Sequence, residues 1–195
     1  IIHKNLIIFN NSIGDITALN IDDGSLIWQT PTQNTLLYEN TFFLKTSDMV
    51  ADKSSIIFSN NMNELFSLDI TSGILNWEQK INSDVRSTIV ENLIFSVSME
   101  GYLILIDKRN GNILRITDIF DIYKKRKRTK VKPVGFLVGS KNIYLTTDDG
   151  NLLTIDIYSG KTIIINKIDN RKLSRPFILN KNLFIIKDNY IVKMN

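Results

Sequence analysis

The sequence predicts an all-β protein, specifically a β-propeller of four-stranded antiparallel blades. The composition favours strands, because isoleucine occurs 32 times among 195 residues and alanine, the best helix former, only twice. A 15-residue pattern also recurs four times without gaps. Its glycines are 49, 38 and 49 residues apart, which matches a four-stranded blade of about 40 to 50 residues. A β-sandwich, the competing all-β fold, would not repeat one pattern in this way.

The repeat defines two strands and two turns of each blade. The copies read GDITALNIDDGSLIW from Gly14, NELFSLDITSGILNW from Asn63, GYLILIDKRNGNILR from Gly101 and GNLLTIDIYSGKTII from Gly150. Each begins with a Gly or Asn that suits a tight turn, and an apolar strand follows. A second turn, usually Asp-Gly, Ser-Gly or Asn-Gly, then returns the chain into another strand. A fifth, truncated copy begins at Asn189.

Further strands before each copy complete the blades. Apolar strands are predicted at Asn5–Phe9, Ile56–Asn60, Leu93–Val97, Asn142–Thr146 and Leu183–Lys187, and weaker ones at Arg86–Val90, Pro133–Val138 and Pro176–Leu179. We therefore place blades approximately at residues 1–33, 46–82, 84–120, 131–169 and 174–195. The first blade is expected to lack its inner strand and the last its outer strand. Such open sheet edges favour self-association.

Several repeated residues are interpreted as parts of the framework. The turn glycines are Gly24, Gly73, Gly111 and Gly160. Trp28 and Trp77 both lie four residues after a turn glycine, where the other copies have Arg115 and Ile164. Packing between blades explains a bulky side chain at a repeated position better than ligand stacking does. The aspartates at the end of the first repeat strand, Asp69, Asp107 and Asp156, are expected to hydrogen-bond their own turns.

The composition excludes several kinds of functional site. The chain has no cysteine, so disulfides, Cys-ligated zinc, iron–sulfur clusters and a thiol nucleophile are ruled out. Its one histidine is His3, at the start of the chain, so a Ser–His–Asp triad is not expected. The pairs Asp22-Asp23 and Asp148-Asp149 lack the alternating acids of a calcium loop. No catalytic residue, cofactor or metal site is predicted.

The one unusual feature is a basic run between the third and fourth blades. Residues 124–132 carry seven positive charges in nine residues, and the rest of the chain has 17 basic against 20 acidic side chains. The run is either a mobile, solvated loop or a contact with anionic lipid headgroups or an acidic protein surface. Nucleic acid is not expected, because Tyr123 alone is adjacent and no aromatic platform accompanies the run. The candidate contact residues are Lys124, Lys125, Arg126, Lys127 and Arg128.

The pattern of the repeat combines a turn residue, a strand that ends in Leu-Asp or Ile-Asp, and a second turn with the pattern x-G-x-x-x-W. This combination resembles the PQQ-type propeller repeat. That family includes quinoprotein dehydrogenases, which bind pyrroloquinoline quinone and calcium, and non-catalytic propellers of the BamB type, which are outer-membrane assembly lipoproteins. The segments SGKTIIINKIDNRKLSRPFILNKNLFIIKDNYIVKMN and INSDVRSTIVENLIFSVSMEGYLILIDKRNG resemble the second group. The resemblance implies an eight-bladed ring, of which this chain is the C-terminal half.

The resemblance also implies a function. It points to a non-catalytic periplasmic scaffold, attached to the outer membrane as a full-length lipoprotein, that binds the barrel insertase complex and assists assembly of outer-membrane β-barrels. A contact loop of that family compares with a link that contains Phe42, Phe43 and Asp48. The family has two acidic residues there, whereas this chain has only Asp48. The alternatives are a fragment of a PQQ-dependent dehydrogenase, many of which have adjacent cysteines that this chain lacks, and a propeller module with an unrelated partner.

Overall fold

The computed structural model describes residues 1–11, 14–32 and 45–194, which form five β-sheets. The first contains β1 (Ile2–His3), β2 (Leu6–Asn10), β3 (Ile16–Asn20) and β4 (Leu26–Thr30). The second contains β5 (Val50–Ala51), β6 (Ser55–Asn60), β7 (Glu64–Asp69) and β8 (Leu75–Gln79). The third contains β9 (Thr88–Val90), β10 (Leu93–Val97), β11 (Tyr102–Asp107) and β12 (Ile113–Asp118). The fourth contains β13 (Pro133–Val138), β14 (Asn142–Thr147), β15 (Asn151–Asp156) and β16 (Thr162–Lys167), and the fifth contains β17 (Phe177–Leu179), β18 (Asn182–Lys187) and β19 (Tyr190–Met194).

The strands of every sheet are neighbours in the order of the chain, which is the arrangement that the repeat predicts. The all-β prediction is confirmed. The one helix of the described residues, α1 (Lys125–Arg128), is a single turn in the basic run. In that same part of the chain, no helix has the length and apolar character needed to cross a membrane.

The first sheet corrects one expectation, because it has the inner strand that the sequence did not reveal. In β1, Ile2 pairs with Ile7 and His3 with Leu6 across a turn in which Lys4 has a φ of 51°. Two residues are too few to show the alternation of apolar and polar side chains by which a strand is recognised. The fifth sheet has three strands in the described part of the chain, as expected.

The chain divides into two compact units, residues 1–94 with 106–112 and residues 95–105 with 113–195. In the first unit, a core joins the first two sheets and contains Ile8, Ile16, Phe58, Leu68 and Trp28. In the second, Leu152, Leu173 and Ile185 are packed together. The middle strands are covered on both faces, as β6 illustrates, because all six of its residues are buried.

The aspartates at the end of the first repeat strand shape the second turn. The Asp69 carboxylate accepts hydrogen bonds from the backbone N–H of Thr71 and from both the N–H and hydroxyl of Ser72, at 2.8–3.0 Å. The Asp156 carboxylate accepts the same two bonds from Ser159, each at 2.7 Å. The bonds from Ser72 hold the pKa of Asp69 below its usual value. These carboxylates therefore serve the turns that follow them.

Two of the turn glycines, Gly73 and Gly111, lie beneath a tryptophan of the preceding sheet. Gly73 has a φ of 71°, and a Cβ there would lie only 2.6 Å from Cδ2 of Trp28. Gly111, with a φ of 76°, is related in the same way to Cδ2 of Trp77, also at 2.6 Å. Glycine is thus needed for the left-handed turn and for the approach of the indole ring.

Hydrogen bonds repeat at the same contact. Nε1 of Trp77 donates to the carbonyl of Lys108 at 2.8 Å, and Nε2 of Gln79 donates to the carbonyl of Gly111, also at 2.8 Å. Arg115, which replaces tryptophan in the next copy, donates from Nη2 to the carbonyl of Ile157 at 3.0 Å. Lys108 and Ile157 both precede their turn glycine by three residues. The guanidinium therefore reproduces the hydrogen bond that the indole makes.

A pair of glycine substitutions should separate backbone strain from this packing. Gly24 has a φ of 72°, almost that of Gly73, but nothing lies within 4 Å of a Cβ placed there. Gly24→Ala should cost about 1 to 2 kcal/mol of the free energy of unfolding, for the left-handed backbone alone. Gly73→Ala should cost about 2 to 5 kcal/mol, because overpacking against Trp28 is added. Urea denaturation checks both, and equal losses would contradict the packing role of Gly73.

Candidate interaction site

The link before the second sheet contains the residues that the family resemblance singles out. Phe42 and Phe43 lie outside the described residues. The described part of the link begins at Lys45, and both Lys45 and Asp48 are exposed. Asp48 is thus accessible to a partner from the surface of the first unit.

The residues between Lys45 and Asp48 are fixed to the end of the second sheet. Ser47 is buried, and its Oγ accepts a hydrogen bond from the Ser59 N–H at 3.0 Å. Thr46 forms a bridge with Asn60, and its hydroxyl accepts a 3.0 Å hydrogen bond from Nδ2 of Asn10. These contacts hold the backbone next to Asp48 in one position.

The second candidate site is the basic segment, residues 124–132, in the second unit. The chain enters it through two buried aromatic side chains, Phe120 and Tyr123, whose rings meet edge to face at 5.3 Å between centroids. Phe120 lies directly over Gly101, where a Cβ would be 2.8 Å from that of Phe120. The backbone N–H of Ile119 donates to the Gly101 carbonyl at 3.0 Å. The sequence suggested a loop here, whereas the structure has a helical turn with an anchored entry.

Tyr123 fixes the start of the segment. Its hydroxyl accepts a 3.3 Å hydrogen bond from Nδ2 of Asn151, and burial, together with the nearby Asp149 charge, raises the pKa of Tyr123 to about 12. The ammonium of Lys127 lies 5.1 Å from the centre of the Tyr123 ring, in a cation–π contact. The phenol therefore stays neutral and is covered by the segment that it anchors.

Two ion pairs bind the inner side of the segment to neighbouring strands. Nζ of Lys127 lies 2.9 Å from the Asp149 carboxylate, and Arg128 pairs with Asp118 at the end of β12. Burial opposes ionisation of Asp149, but hydrogen bonds from Thr147 and Lys127 outweigh it and leave its pKa below the usual value. The bond to Asp118 raises the pKa of Arg128.

The segment therefore has an inner and an outer side. Lys132 also faces inward, because its Nζ donates to the Met99 carbonyl at 3.4 Å and its backbone N–H to Asp148 Oδ1 at 2.8 Å. The outer side consists of the exposed cations Lys124, Lys125, Arg126 and Lys130, none of which has an ion pair in the described part of the chain. The sequence predicted five contact residues here, and the structure turns two of them, Lys127 and Arg128, toward the protein.

The described residues do not fit a calcium–quinone site of the kind that quinoprotein dehydrogenases carry. Residues 1–11, 14–32 and 45–194 contain no group of three or more His, Asp or Glu side chains placed to hold a metal ion. The repeat aspartates are engaged with Ser72, Arg109 and Ser159 in their own turns.

Removal of one inner ion pair should show how far it stabilises the segment. Asp149→Asn keeps an oxygen acceptor but loses the charge, so the free energy of unfolding should fall by about 1 kcal/mol at neutral pH. Because the pKa of Asp149 is lowered in the folded protein, its contribution exists above 3.8 and is lost as the pH falls through the lower, folded value. The difference from the wild type should therefore fade in acid, as measured by urea denaturation across pH.

Asp121→Asn is the matched control, because Asp121 is exposed and has no ion pair among the described residues. It should change the free energy of unfolding by only a few tenths of a kcal/mol at any pH. A loss for Asp149→Asn that persisted unchanged in acid would show that the ion pair is not its cause.

Solved structures confirm the propeller fold. BamB from Moraxella catarrhalis superposes with a TM-score of 0.72 at 16% identity, covering 100% of this chain and 62% of that one. The β-propeller domain of Cps50 (Swd1) from Myceliophteria thermophila gives 0.71 at 9% identity, with 93% and 58% covered. The computationally designed protein Ika8 gives 0.70 at 11% identity, with 98% and 55% covered. This chain thus spans about three-fifths of the length of each.

The sequence itself identifies the family. A search of curated proteins finds no significant match. A family model described as outer membrane protein assembly factor BamB, by contrast, matches residues 1–117. This stretch includes the first three sheets almost to the end of β12. Since the match covers more than half of the chain, the protein belongs to the BamB family of PQQ-type propellers.

Proposed function

We propose that this protein is a non-catalytic propeller scaffold of the bacterial periplasm that assists assembly of outer-membrane β-barrel proteins. It does so by binding the barrel insertase and the complex around it. The observation that carries this proposal is the match of residues 1–117 to the outer membrane protein assembly factor family. The chain spans 62% of the length of the BamB structure that it resembles. Binding of the partner and attachment to the outer membrane are therefore proposed for the full-length lipoprotein.

The proposed mechanism is the display of binding surfaces from a rigid framework. Thr46 and Ser47 are bound to neighbouring strands and hold the backbone beside Asp48 in one position. A partner that docks there meets a preorganised surface and loses little entropy on ordering it. Phe42 and Phe43 would supply the apolar part of the contact and Asp48 the charge.

The outermost strands offer a second mode of binding. The strands β4, β8, β12 and β16 are the last of their sheets. Exposed apolar side chains on or beside them include Leu26, Ile74, Leu75, Leu114 and Ile163, which are 48–67% exposed. An extended segment of an unfolded barrel protein would pair with such a strand by β-augmentation. The same edges would support self-association.

The turn chemistry supports the absence of catalysis in this proposal. The repeat aspartates accept hydrogen bonds within their own turns, and the Arg109 guanidinium lowers the pKa of Asp107 to about 2. A carboxylate that is ionised at every physiological pH and engaged in two bonds is a poor general acid or base.

Affinity capture from envelope extract tests the role. The full-length protein is immobilised, and the bound proteins are identified by mass spectrometry. The insertase and its accessory lipoproteins should be recovered. A variant with Phe42→Ala, Phe43→Ala and Asp48→Arg should lose most of this recovery, about tenfold or more, if the link is the contact.

A control variant with Ile178→Ala, Leu179→Ala and Asp22→Arg removes two exposed apolar side chains and reverses one exposed charge elsewhere. It should recover the insertase as the wild type does. Failure of the wild type to capture any insertase component at low salt would overturn the proposed function. If both variants recover the insertase as the wild type does, the scaffold role stands, but the link is not the contact with the insertase.

A further inference from the structure

We propose that the outer side of the basic segment binds the surface of a bilayer that contains anionic lipids. The side consists of Lys124, Lys125, Arg126 and Lys130, all exposed and without ion pairs in the described residues. This inference does not depend on the insertase, because it concerns a different surface and a different class of partner.

The four cations are presented from a fixed backbone. The N–H groups of Lys127 and Arg128 donate to the Lys124 carbonyl at 2.8 and 3.0 Å, and those of Lys130 and Val131 donate to the Lys127 carbonyl at 3.0 and 3.2 Å. Val131 is 2% exposed and closes the segment on its far side. The backbone of the turn is therefore held in place, and the four side chains that it carries are exposed to the solvent.

The acids near the segment do not neutralise the outer side. Asp118 and Asp149 are paired with Arg128 and Lys127, and Oδ1 of Asp148 accepts the backbone N–H of Lys132. Asp121 and Asp148 have no ion pair among the described residues, so two acidic charges stand against the four outer cations and the ammonium of Lys132. The surface therefore keeps an excess of positive charge, and each Lys or Arg near a bilayer strengthens the attraction to anionic headgroups.

An exposed apolar side chain distinguishes a bilayer from other anionic partners. Ile122, two residues before the first of the four cations, is 52% exposed. Cations beside an exposed aliphatic side chain suit the lipid interface, where the charge meets headgroups and the apolar group enters the acyl boundary. Single-stranded nucleic acid would need an aromatic side chain for stacking, and Tyr123 is buried beneath Lys127. A protein partner would need a larger apolar centre than one isoleucine.

Vesicle flotation tests the proposal with the protein unmodified. The vesicles are pure phosphatidylcholine or phosphatidylcholine with about 30 mol% phosphatidylglycerol. The partition coefficient should be at least about tenfold higher on the anionic vesicles at about 0.1 M salt and should fall to the neutral-vesicle value at about 0.5 M. Equal partition on both vesicles at low salt would overturn the proposal.

A charge-matched pair of variants assigns the effect to this surface. Substitution of Lys124, Lys125, Arg126 and Lys130 by Gln should reduce binding to anionic vesicles at least tenfold, to the neutral-vesicle level. The control substitutes Gln for four other exposed lysines, Lys4, Lys80, Lys161 and Lys172, and so has the same net charge. It should bind within about twofold of the wild type. An equal loss in both variants would show that net charge alone acts and would overturn the proposal.

The absence of cysteine allows a direct measurement of contact. Ile122→Cys carries an environment-sensitive fluorophore, and Lys80→Cys carries the same label as a control. Emission at position 122 should shift to the blue on anionic vesicles, and emission at position 80 should not. No shift at position 122 under conditions where the protein is bound would overturn the proposal. Tighter binding to a short DNA duplex than to the vesicles, at the same salt, would also overturn it.

Discussion

The contact between a large side chain of one sheet and the turn glycine of the next is the constraint on which the rest of the fold depends. Trp28 covers Gly73 and Trp77 covers Gly111, each so closely that a single methyl group would not fit. A four-stranded sheet cannot cover both of its faces alone, so its stability depends on the neighbouring sheet. Glycine is thus required at these positions for two reasons: the left-handed backbone of the turn and the lack of space for a Cβ beneath the indole ring.

The copies differ in side chain at this contact, and each makes a hydrogen bond across it. Trp77 donates from Nε1 to the Lys108 carbonyl, and Arg115 donates from Nη2 to the equivalent Ile157 carbonyl. Nε1 of Trp28 is buried and has no hydrogen-bond partner in the described part of the chain. The first contact combines packing with a hydrogen bond from the Thr30 hydroxyl to the Gly73 carbonyl at 2.6 Å. The second combines packing with the bonds from Trp77 and Gln79, and the third relies mainly on the polar bonds of Arg115. A repeat can thus diverge in sequence while each sheet still docks on the next.

Much of this architecture could be predicted from the sequence, because each strand is bounded by turns whose chemistry is local. The strands at Leu93–Val97 and Pro133–Val138 have the predicted limits, and the aspartates Asp69 and Asp156 make the expected turn bonds. The strand β1 was missed because two residues carry no periodicity. The use of Arg115 as a substitute for tryptophan could not be predicted, because its partner is a backbone carbonyl more than 40 residues away, a position that only the folded chain reveals.

The same limit explains the basic segment. The seven charges within nine residues look equivalent in the sequence, and only the folded chain separates Lys127, Arg128 and Lys132 from the rest. Lys127 and Arg128 form ion pairs and Lys132 donates to the Met99 carbonyl, so these three contribute to the position of the segment rather than to binding. The outer four have no such role in the described structure. A surface that the fold itself does not need, yet holds in a fixed position by a buried tyrosine and two ion pairs, is what recognition of an external anionic partner requires.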